Sequence, residues 1–504
     1  MKSSHLTAWI SLSSIVGTVC FGCFGANSVI GHSPAEVQPN FVVIVVDDLG
    51  WSDLGCYGSS FYETPHIDSL AAEAVRFTNG YAACPVCSPT RASIQTGRNP
   101  ARLHTTDWFG GPQPEEALRT PLSKKFRNRP LLPASYLEYL PLQEKTIAEV
   151  LRQQGYSTFF AGKWHLGNVG YYPENQGYEF NLGGNEKGSP PGGYFSPYKN
   201  PKLIDGPKGE HLPDRLANES VRFLENQGDD PFLLVLSFYS VHNPQQGRID
   251  LIEKYQAKAA NLVTAQAEFS PEGLFENRQI QNQPIYAAMM EAVDQAVGKV
   301  LTSLEELGLE ENTIVLFTSD NGGLSTAEGS PTSNSPLRAG KGWLYEGGLR
   351  VPWIVKWPGS TQLGIICNEP VISDDIMPTV LELAKVQAHE KSTFDGISLV
   401  PLLKNPAVKL VRNLYWHYPH YSNQGGGPSG AVRSGKWKLI EWYEDQHLEL
   451  FNLDQDIGEH HNLLRCNPKT ANELHLRLVR WREEVGGQMP MSNPLYSAEE
   501  IRSR

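Results

Sequence analysis

The sequence predicts an α/β protein: a large, mainly parallel but mixed sheet flanked by helices on both faces, then a smaller C-terminal α+β domain with an antiparallel sheet. Three observations predict it. Residues 41–46, Phe-Val-Val-Ile-Val-Val, are continuously apolar and rich in β-branched side chains, as in a strand covered on both faces. Downstream, β-rich runs alternate with helical patterns, the order that parallel strands and their crossovers require. Beyond residue 399 this alternation gives way to short strands close together, the mark of hairpins.

The elements follow in order. After the first strand, helical patterns cover 65–77, 89–97 and 146–154, the last ended by Gly155. Residues 158–161 and 232–238 read as strands, 286–307 as one long helix, and 313–317 and 352–355 as further strands. Residues 103–141 and 183–213 are rich in Pro and Gly with weak periodicity, and read as long surface excursions where ligand contacts gather. In the C-terminal part, 431–433 and 437–441 read as strands and 471–484 as a helix. The expected organisation is a signal peptide over 1–26, a large domain over 36–404 and a small α+β domain over 405–496.

Composition narrows the function classes. The 504 residues carry Lys+Arg 43 against Asp+Glu 55, a net charge of −12, with no Lys/Arg block. That argues against a nucleic-acid partner, which is held largely by phosphate neutralisation. Lys2 precedes a mostly apolar or small stretch from Leu6 to Ala26, interrupted by Ser and Thr. This reads as an export signal cleaved at about residues 22–27, giving a periplasmic or extracellular protein. No other run is long and apolar enough to span a bilayer. Without Cys20 and Cys23, five cysteines remain: Cys56, Cys84, Cys87, Cys367 and Cys466. They are too sparse for a disulfide scaffold, and one must stay unpaired.

Ligands of open α/β sheets bind beyond the carboxyl ends of the strands. There the sequence places Asp47-Asp48, then Lys163 and His165, then His242, then Asp320-Asn321-Gly322-Gly323. Either acidic pair alone would serve as a cap or turn. Two such pairs at equivalent strand ends, supplying only oxygens, point to a hard divalent cation, Ca²⁺ or Mg²⁺, rather than Zn²⁺. The sharpest local feature is Cys87-Ser88-Pro89-Thr90-Arg91-Ala92-Ser93. Ser88 fits a helix N-cap and Pro89 the first helical position, which sets Cys87 just before a helix N-terminus that favours an anion, with Arg91 within reach of it. Cys84-Pro85-Val86-Cys87 also has a redox-type spacing, but without a thioredoxin-like context.

On these residues the chain resembles the type I sulfatases of the alkaline phosphatase superfamily. Cys87 to Arg91 match their C-x-P-x-R signature, with Ala92-Ser93 and Thr96-Gly97-Arg98 as its extension. Residues 162–167, Gly-Lys-Trp-His-Leu-Gly, resemble the second signature. Asp47-Asp48, His242, Asp320-Asn321, residues 340–342 and 346–348, 450–453, Glu459 and Asn462-Leu463 fall in the family's order. The resemblance covers about residues 38 to 490. It implies an alkaline-phosphatase-like fold and hydrolysis of sulfate monoesters. It also implies that a separate maturation enzyme converts Cys87 to formylglycine, whose hydrate carries two geminal hydroxyls. The implied metal ligands are Asp47, Asp48, Asp320, Asn321 and the residue at Cys87, for one Ca²⁺ or else Mg²⁺. Arg91 would orient the formylglycine, Lys163 and Lys341 would clamp sulfate oxygens, His242 would protonate the leaving alcohol, and His165 would deprotonate the second hydroxyl.

Two alternatives stay open: a phosphodiester or phosphonate monoester hydrolase of the same superfamily, and a sulfated-glycan binding protein without catalysis. Export, together with the aromatic segments 108–111, 194–195 and 416–421, points to a sulfated carbohydrate as substrate.

Overall fold

In this computed structural model the described residues are 38–119, 121–360, 363–386 and 394–497. The expected signal peptide over 1–26, with Cys20 and Cys23, lies outside them. Residues from Gln38 onward form one compact unit.

The main sheet has eight strands: β1 (Asn40–Val46), β2 (Val75–Phe77), β3 (Ser157–Gly162), β4 (Phe180–Leu182), β5 (Phe232–Phe238), β6 (Thr313–Ser319), β7 (Trp353–Lys356) and β8 (Ile365–Cys367). Their spatial order is β8-β2-β7-β6-β1-β5-β3-β4. The block β6-β1-β5-β3-β4 is parallel throughout, and β7 pairs antiparallel with both β6 and β2. The sheet is therefore mixed and mainly parallel.

Both faces are covered, and the alternation of side chains along each strand shows how. Val42, Ile44 and Val46 of β1 join Leu234, Leu236 and Phe238 of β5 in one core, against α1 (Pro65–Ala72), α4 (Leu212–Glu225), α5 (Ile249–Ala260) and α6 (Pro284–Glu306). Phe41, Val43 and Val45 join Leu233 and Val235 on the other face, against α2 (Cys87–Thr96), α3 (Ile147–Arg152) and α7 (Ile376–Leu383). Thr146 caps α3 through its hydroxyl, and Glu149 reaches back to close the capping box.

The C-terminal sheet is an antiparallel meander of β9 (Asn413–Tyr418), β10 (Ser429–Ser434), β11 (Trp437–Trp442) and β12 (Leu448–Asn452). Val432, Leu439 and Leu450 on one face pack against α8 (Pro468–Glu484). Trp416, Ala431, Ile440 and Phe451 on the other face pack against Tyr81, Val86, Leu344 and Tyr345. This seam holds the meander against the loops at the carboxyl ends of the main sheet.

Two expectations change, and further elements appear. The helix expected over 65–77 stops at Ala72, and Val75–Phe77 is strand β2, whose partners β7 and β8 are remote in sequence. Helices α4, α5 and α7 had no counterpart in the reading. Val86 is the N-cap of α2, so Cys87 is its first residue rather than the one before it. All five described cysteines are free, and none pairs with another. Among the described residues no helix is long and apolar enough to cross a membrane.

Candidate active site

Four parallel strands deliver the site. Asp47 and Asp48 follow β1, Lys163 and His165 follow β3, His242 follows β5, and Asp320 and Asn321 follow β6. The turn after β3 depends on Gly162: its φ is +108°, and a Cβ there would lie 1.8 Å from the Ser237 carbonyl oxygen. Asp48 and His165 themselves adopt left-handed backbone conformations, with φ of 60° and 54°. Such geometry costs of order 1–2 kcal/mol for a residue with a Cβ and gathers at functional sites. Lys341 arrives on an irregular loop, held where its N–H donates to the Gly323 carbonyl and that of Gly342 donates to Pro85.

Asp47, Asp48 and Asp320 each place a carboxylate oxygen within 4.8 Å of the others, and all are buried. Around them, Lys163 Nζ donates to Asp47 Oδ2 at 2.5 Å, Lys341 Nζ lies 2.8 Å from Asp48 Oδ1, and Arg91 Nε donates to Asp320 Oδ2 at 2.7 Å. Three carboxylates thus face three cations. Asn321 Nδ2 donates to Asp48 Oδ1 at 2.8 Å. Asp47 Oδ1 and Asn321 Oδ1 are buried acceptors without a hydrogen-bond partner. A hard cation needs such oxygen acceptors, so the set fits an alkaline-earth ion. Cys87 does not belong to the carboxylate set.

Burial and the adjacent Asp320 push the Asp47 carboxyl well above its usual range. For Asp48, burial acts the same way but Lys341 and His242 outweigh it and hold the group low. Asp320 is likewise held low by Arg91 and Lys163 against its burial. Unequal affinities for protons among adjacent carboxylates are expected where negative charge is concentrated.

Cys87 Sγ lies 3.3 Å from His165 Nδ1, and His165 Nε2 lies 3.1 Å from the Phe109 carbonyl oxygen. A carbonyl can only accept, so Nε2 carries the proton and Nδ1 presents a lone pair to Cys87. The same reasoning for His242, whose Nδ1 lies 2.8 Å from the Asn243 carbonyl, leaves Nε2 free, 3.9 Å from Asp48 Oδ2. Burial, then Lys163, drives His165 well below its ordinary value. Burial and Lys341 lower His242 to about 3. Burial thus favours the neutral form of both rings.

Arg91 does not bond Cys87. Its Nη1 donates to the Lys163 carbonyl and to Ser237 Oγ, each at 2.7 Å, so it ties α2 to β3, β5 and Asp320. Ser237 was missed by the sequence reading, although a lone hydroxyl in the apolar run 232–238 was a signal. The Phe109 carbonyl was also missed, and a backbone group leaves no mark in sequence. Ser88 accepts from the Phe109 N–H at 3.1 Å and so draws the loop of Trp108 and Phe109 over the N-terminus of α2.

A cavity of about 480 Å³ opens here, within the range of small-molecule sites. Cys87, His165, His242 and Lys341 line it with Trp108 and Phe109, whereas Lys163 is fully buried on Asp47 and does not. Of the aromatic segments, only 108–111 reaches the cavity, through Trp108, Phe109 and Gly110. Tyr194 and Trp416 are 0% exposed, their polar tips bonded to the Tyr239 and Ala82 carbonyls. They are packing residues, not platforms for a sugar.

Comparison with known proteins settles the lineage. Residues 39–386 match the family model described as Sulfatase, and 339–484 match N-sulphoglucosamine sulphohydrolase, C-terminal. The chain belongs to the sulfatase family. It is similar to a sulfatase of Formosa agariphila, 32% identical over 90% of this chain and 91% of that one. It is also similar to human arylsulfatase A, 32% identical over 84% and 83%. Among solved structures, Ps i-CgsB in complex with k-i-k-neocarrahexaose has a TM-score of 0.69 at 27% identity, covering 88% of this chain and 93% of that one. This sulfatase is a sulfuric ester hydrolase, and its mixed sheet with a C-terminal antiparallel sheet is the alkaline-phosphatase-like fold.

Proposed function

We propose that this sulfatase is an exported enzyme that removes sulfate from carbohydrates, using Cys87 matured to formylglycine and one alkaline-earth ion, Ca²⁺ or else Mg²⁺. The observation that carries the reading is Cys87 itself: first residue of α2, lining the cavity, with an imidazole lone pair 3.3 Å from Sγ and three carboxylates at the adjoining strand ends. A separate maturation enzyme reading Cys87-Ser88-Pro89-Thr90-Arg91 completes the scheme. Asp47, Asp48, Asp320 and Asn321, with the residue at 87, would hold the ion, which would supply positive charge to activate a nucleophile and neutralise sulfate. As hydrated formylglycine, residue 87 would offer one hydroxyl for attack on sulfur and a second for release of sulfate.

The surrounding side chains then divide the work. Lys341, on the cavity wall, binds sulfate oxygens and the charge that develops on them. Lys163 acts from behind Asp47, holding that carboxylate and reaching sulfate only if the pair opens. Arg91 fixes the strand ends and the first turn of α2, and so orients residue 87 through the backbone. His165 takes a proton at Nδ1 from the group at 87, because the Phe109 carbonyl holds its other proton at Nε2. His242 gives a proton from Nε2 to the leaving alcohol. The negative charge of a bound sulfate ester favours the protonated ring and opposes the burial that lowers it.

The carbohydrate assignment is supported by the hexaose in the complex of Ps i-CgsB and by relatives named N-acetylgalactosamine-6-sulfatase, 29% identical in rat. Two measurements test the whole reading. Peptide mass spectrometry of protein from a host with the maturation enzyme should find the Cys87 peptide as aldehyde; an active enzyme carrying only thiol would refute it. Matched sulfate and phosphate esters should show kcat/KM well in favour of sulfate. Equal or better phosphate or phosphonate turnover would promote the phosphoester reading.

A further inference from the structure

The cavity is layered by charge. Its buried end carries Cys87, His165 and Lys341, at most 5% exposed. Its solvent end carries three carboxylates, Glu138, Glu186 and Glu328, and one ammonium, Lys187. Lys187 Nζ sits 3.4 Å from Glu186 Oε1, so it is already matched, and two negative charges remain at the mouth.

Two of these carboxylates are held in place. Glu186 Oε2 accepts from the Tyr172 hydroxyl at 2.6 Å, and Glu328 Oε1 accepts from Gln424 Nε2 at 2.9 Å. Gln424 is itself buried, and its Oε1 accepts from Ser422 Oγ at 2.5 Å. Glu186 thus has both oxygens engaged by the protein, Oε2 by Tyr172 and Oε1 by Lys187, whereas Glu328 engages Oε1 alone. An ionised carboxylate only accepts hydrogen bonds, so it welcomes hydroxyl donors and repels anions. Trp108, half-buried, lines the same cavity, and an indole is a surface that a sugar ring can cover.

We propose that Glu186 and Glu328, with Glu138, are specificity residues that select a sugar bearing a single sulfate and otherwise only hydroxyls, and that they discriminate against glycans with a second sulfate or a uronate beside the cleaved ester. This rests on the reading of the chain as a carbohydrate sulfatase. The scissile sulfate passes the acidic mouth because the deep end, where Lys163, Lys341 and Arg91 already balance three carboxylates, would gain the positive charge of the ion in the proposed function. A second anion stays at the mouth, where like charge meets it.

The matured enzyme is assayed on a monosulfated neutral disaccharide, on the same disaccharide with a second sulfate, on its uronate-containing counterpart, and on an aryl sulfate. The expected kcat/KM preference for the monosulfated neutral sugar is about ten-fold or more at low salt. It shrinks towards parity near 1 M NaCl, because the mouth is solvent-exposed and screened. Glu328→Gln and Glu186→Gln should each narrow it by about three-fold, the size of an exposed charge interaction. Equal or better turnover of the doubly charged sugars, or a preference indifferent to both salt and the two substitutions, would overturn the proposal while leaving the sulfatase reading intact. Turnover of the aryl sulfate with none of the three sugars would overturn the carbohydrate reading and this proposal with it.

Discussion

In the proposed function Cys87 concentrates the chemistry in one side chain, and its surroundings explain why a small change there would be decisive. The residue lines the cavity, is 3% exposed and faces His165 rather than a disulfide partner. Cys87→Ala should therefore abolish turnover while moving stability by less than about 2 kcal/mol, since it removes one sulfur from a cavity wall rather than from a packed core. Activity assays beside a denaturant titration separate the two effects. Cys87→Ser tests the release step. A serine hydroxyl can attack sulfur once, forming an O–S bond as the alcohol departs, but has no second hydroxyl with which to expel sulfate. The expected product is protein carrying one covalent sulfuryl group by mass spectrometry; multiple turnovers would end the elimination scheme. Of the residues at this scale, Cys87 was legible from its motif, and His165, His242 and the acidic pairs from their places after strands. Ser237 and the Phe109 carbonyl were not, because their roles come from hydrogen bonds across 146 and 56 residues of chain.

At the scale of elements, the ends of β1 and β6 supply the carboxylates and the loop before α3 supplies the roof. With an ion at Asp47, Asp48, Asp320 and Asn321, chelation should remove activity and also lower the melting temperature, and Ca²⁺ or Mg²⁺ should restore both. Saturation at 100 times Kd is worth about 2.7 kcal/mol, enough to see in a thermal scan. Stoichiometric Zn²⁺ in the active protein would contradict the oxygen-donor argument. The roof has its own titration. Asp107 accepts from the Trp108 N–H and the Tyr418 hydroxyl, and burial pushes its carboxyl up to about 8. Unfolded, this carboxyl ionises near 3.8. Between these values the unfolded chain releases a proton that the folded one keeps, so stability falls as pH rises from about 4 to about 8 and then levels. Asp107→Asn should flatten that part of the profile, seen as a melting-temperature difference from wild type that changes between pH 5 and pH 8. Of the segment 416–421, read from sequence as suited to sugar rings, Tyr418 and His420 are spent on this roof, where both approach Asp107.

Across the whole molecule, the catalytic sheet and the C-terminal meander are joined by a buried ionic cluster as well as by apolar packing. Lys438 of β11 lies 2.9 Å from both Glu346 and Glu459, and Glu346 also meets Arg350 Nε at 2.7 Å. Lys438, Glu346 and Glu459 are all fully buried. Removing one member of such a cluster strands the others without water, at a cost of about 3–5 kcal/mol. Lys438→Ala is expected to lower the denaturant midpoint accordingly. Glu346 and Glu459 were noted from the family's order of motifs, but their partner Lys438 was read only as part of a strand. Nothing in an alternating run such as 437–441 marks a lysine that points into a seam.

The sheet, and the polar groups that stand at its strand ends, were legible from sequence alone. Continuous apolar runs are legible as buried parallel strands because burial on both faces admits little else, and the groups that follow them share one edge by the geometry of parallel pairing. The C-x-P-x-R segment was recognisable from its local pattern alone. What waited for the tertiary structure was every property set by a remote partner: strand β2 inside a helical pattern, the tautomer of His165, the burial of Lys163 on Asp47, and the sorting of aromatic residues into cavity wall and core. The physical reason is common to all four. Local sequence states what a residue can donate, accept or bury, and the neighbour that makes use of it lies tens to hundreds of residues away.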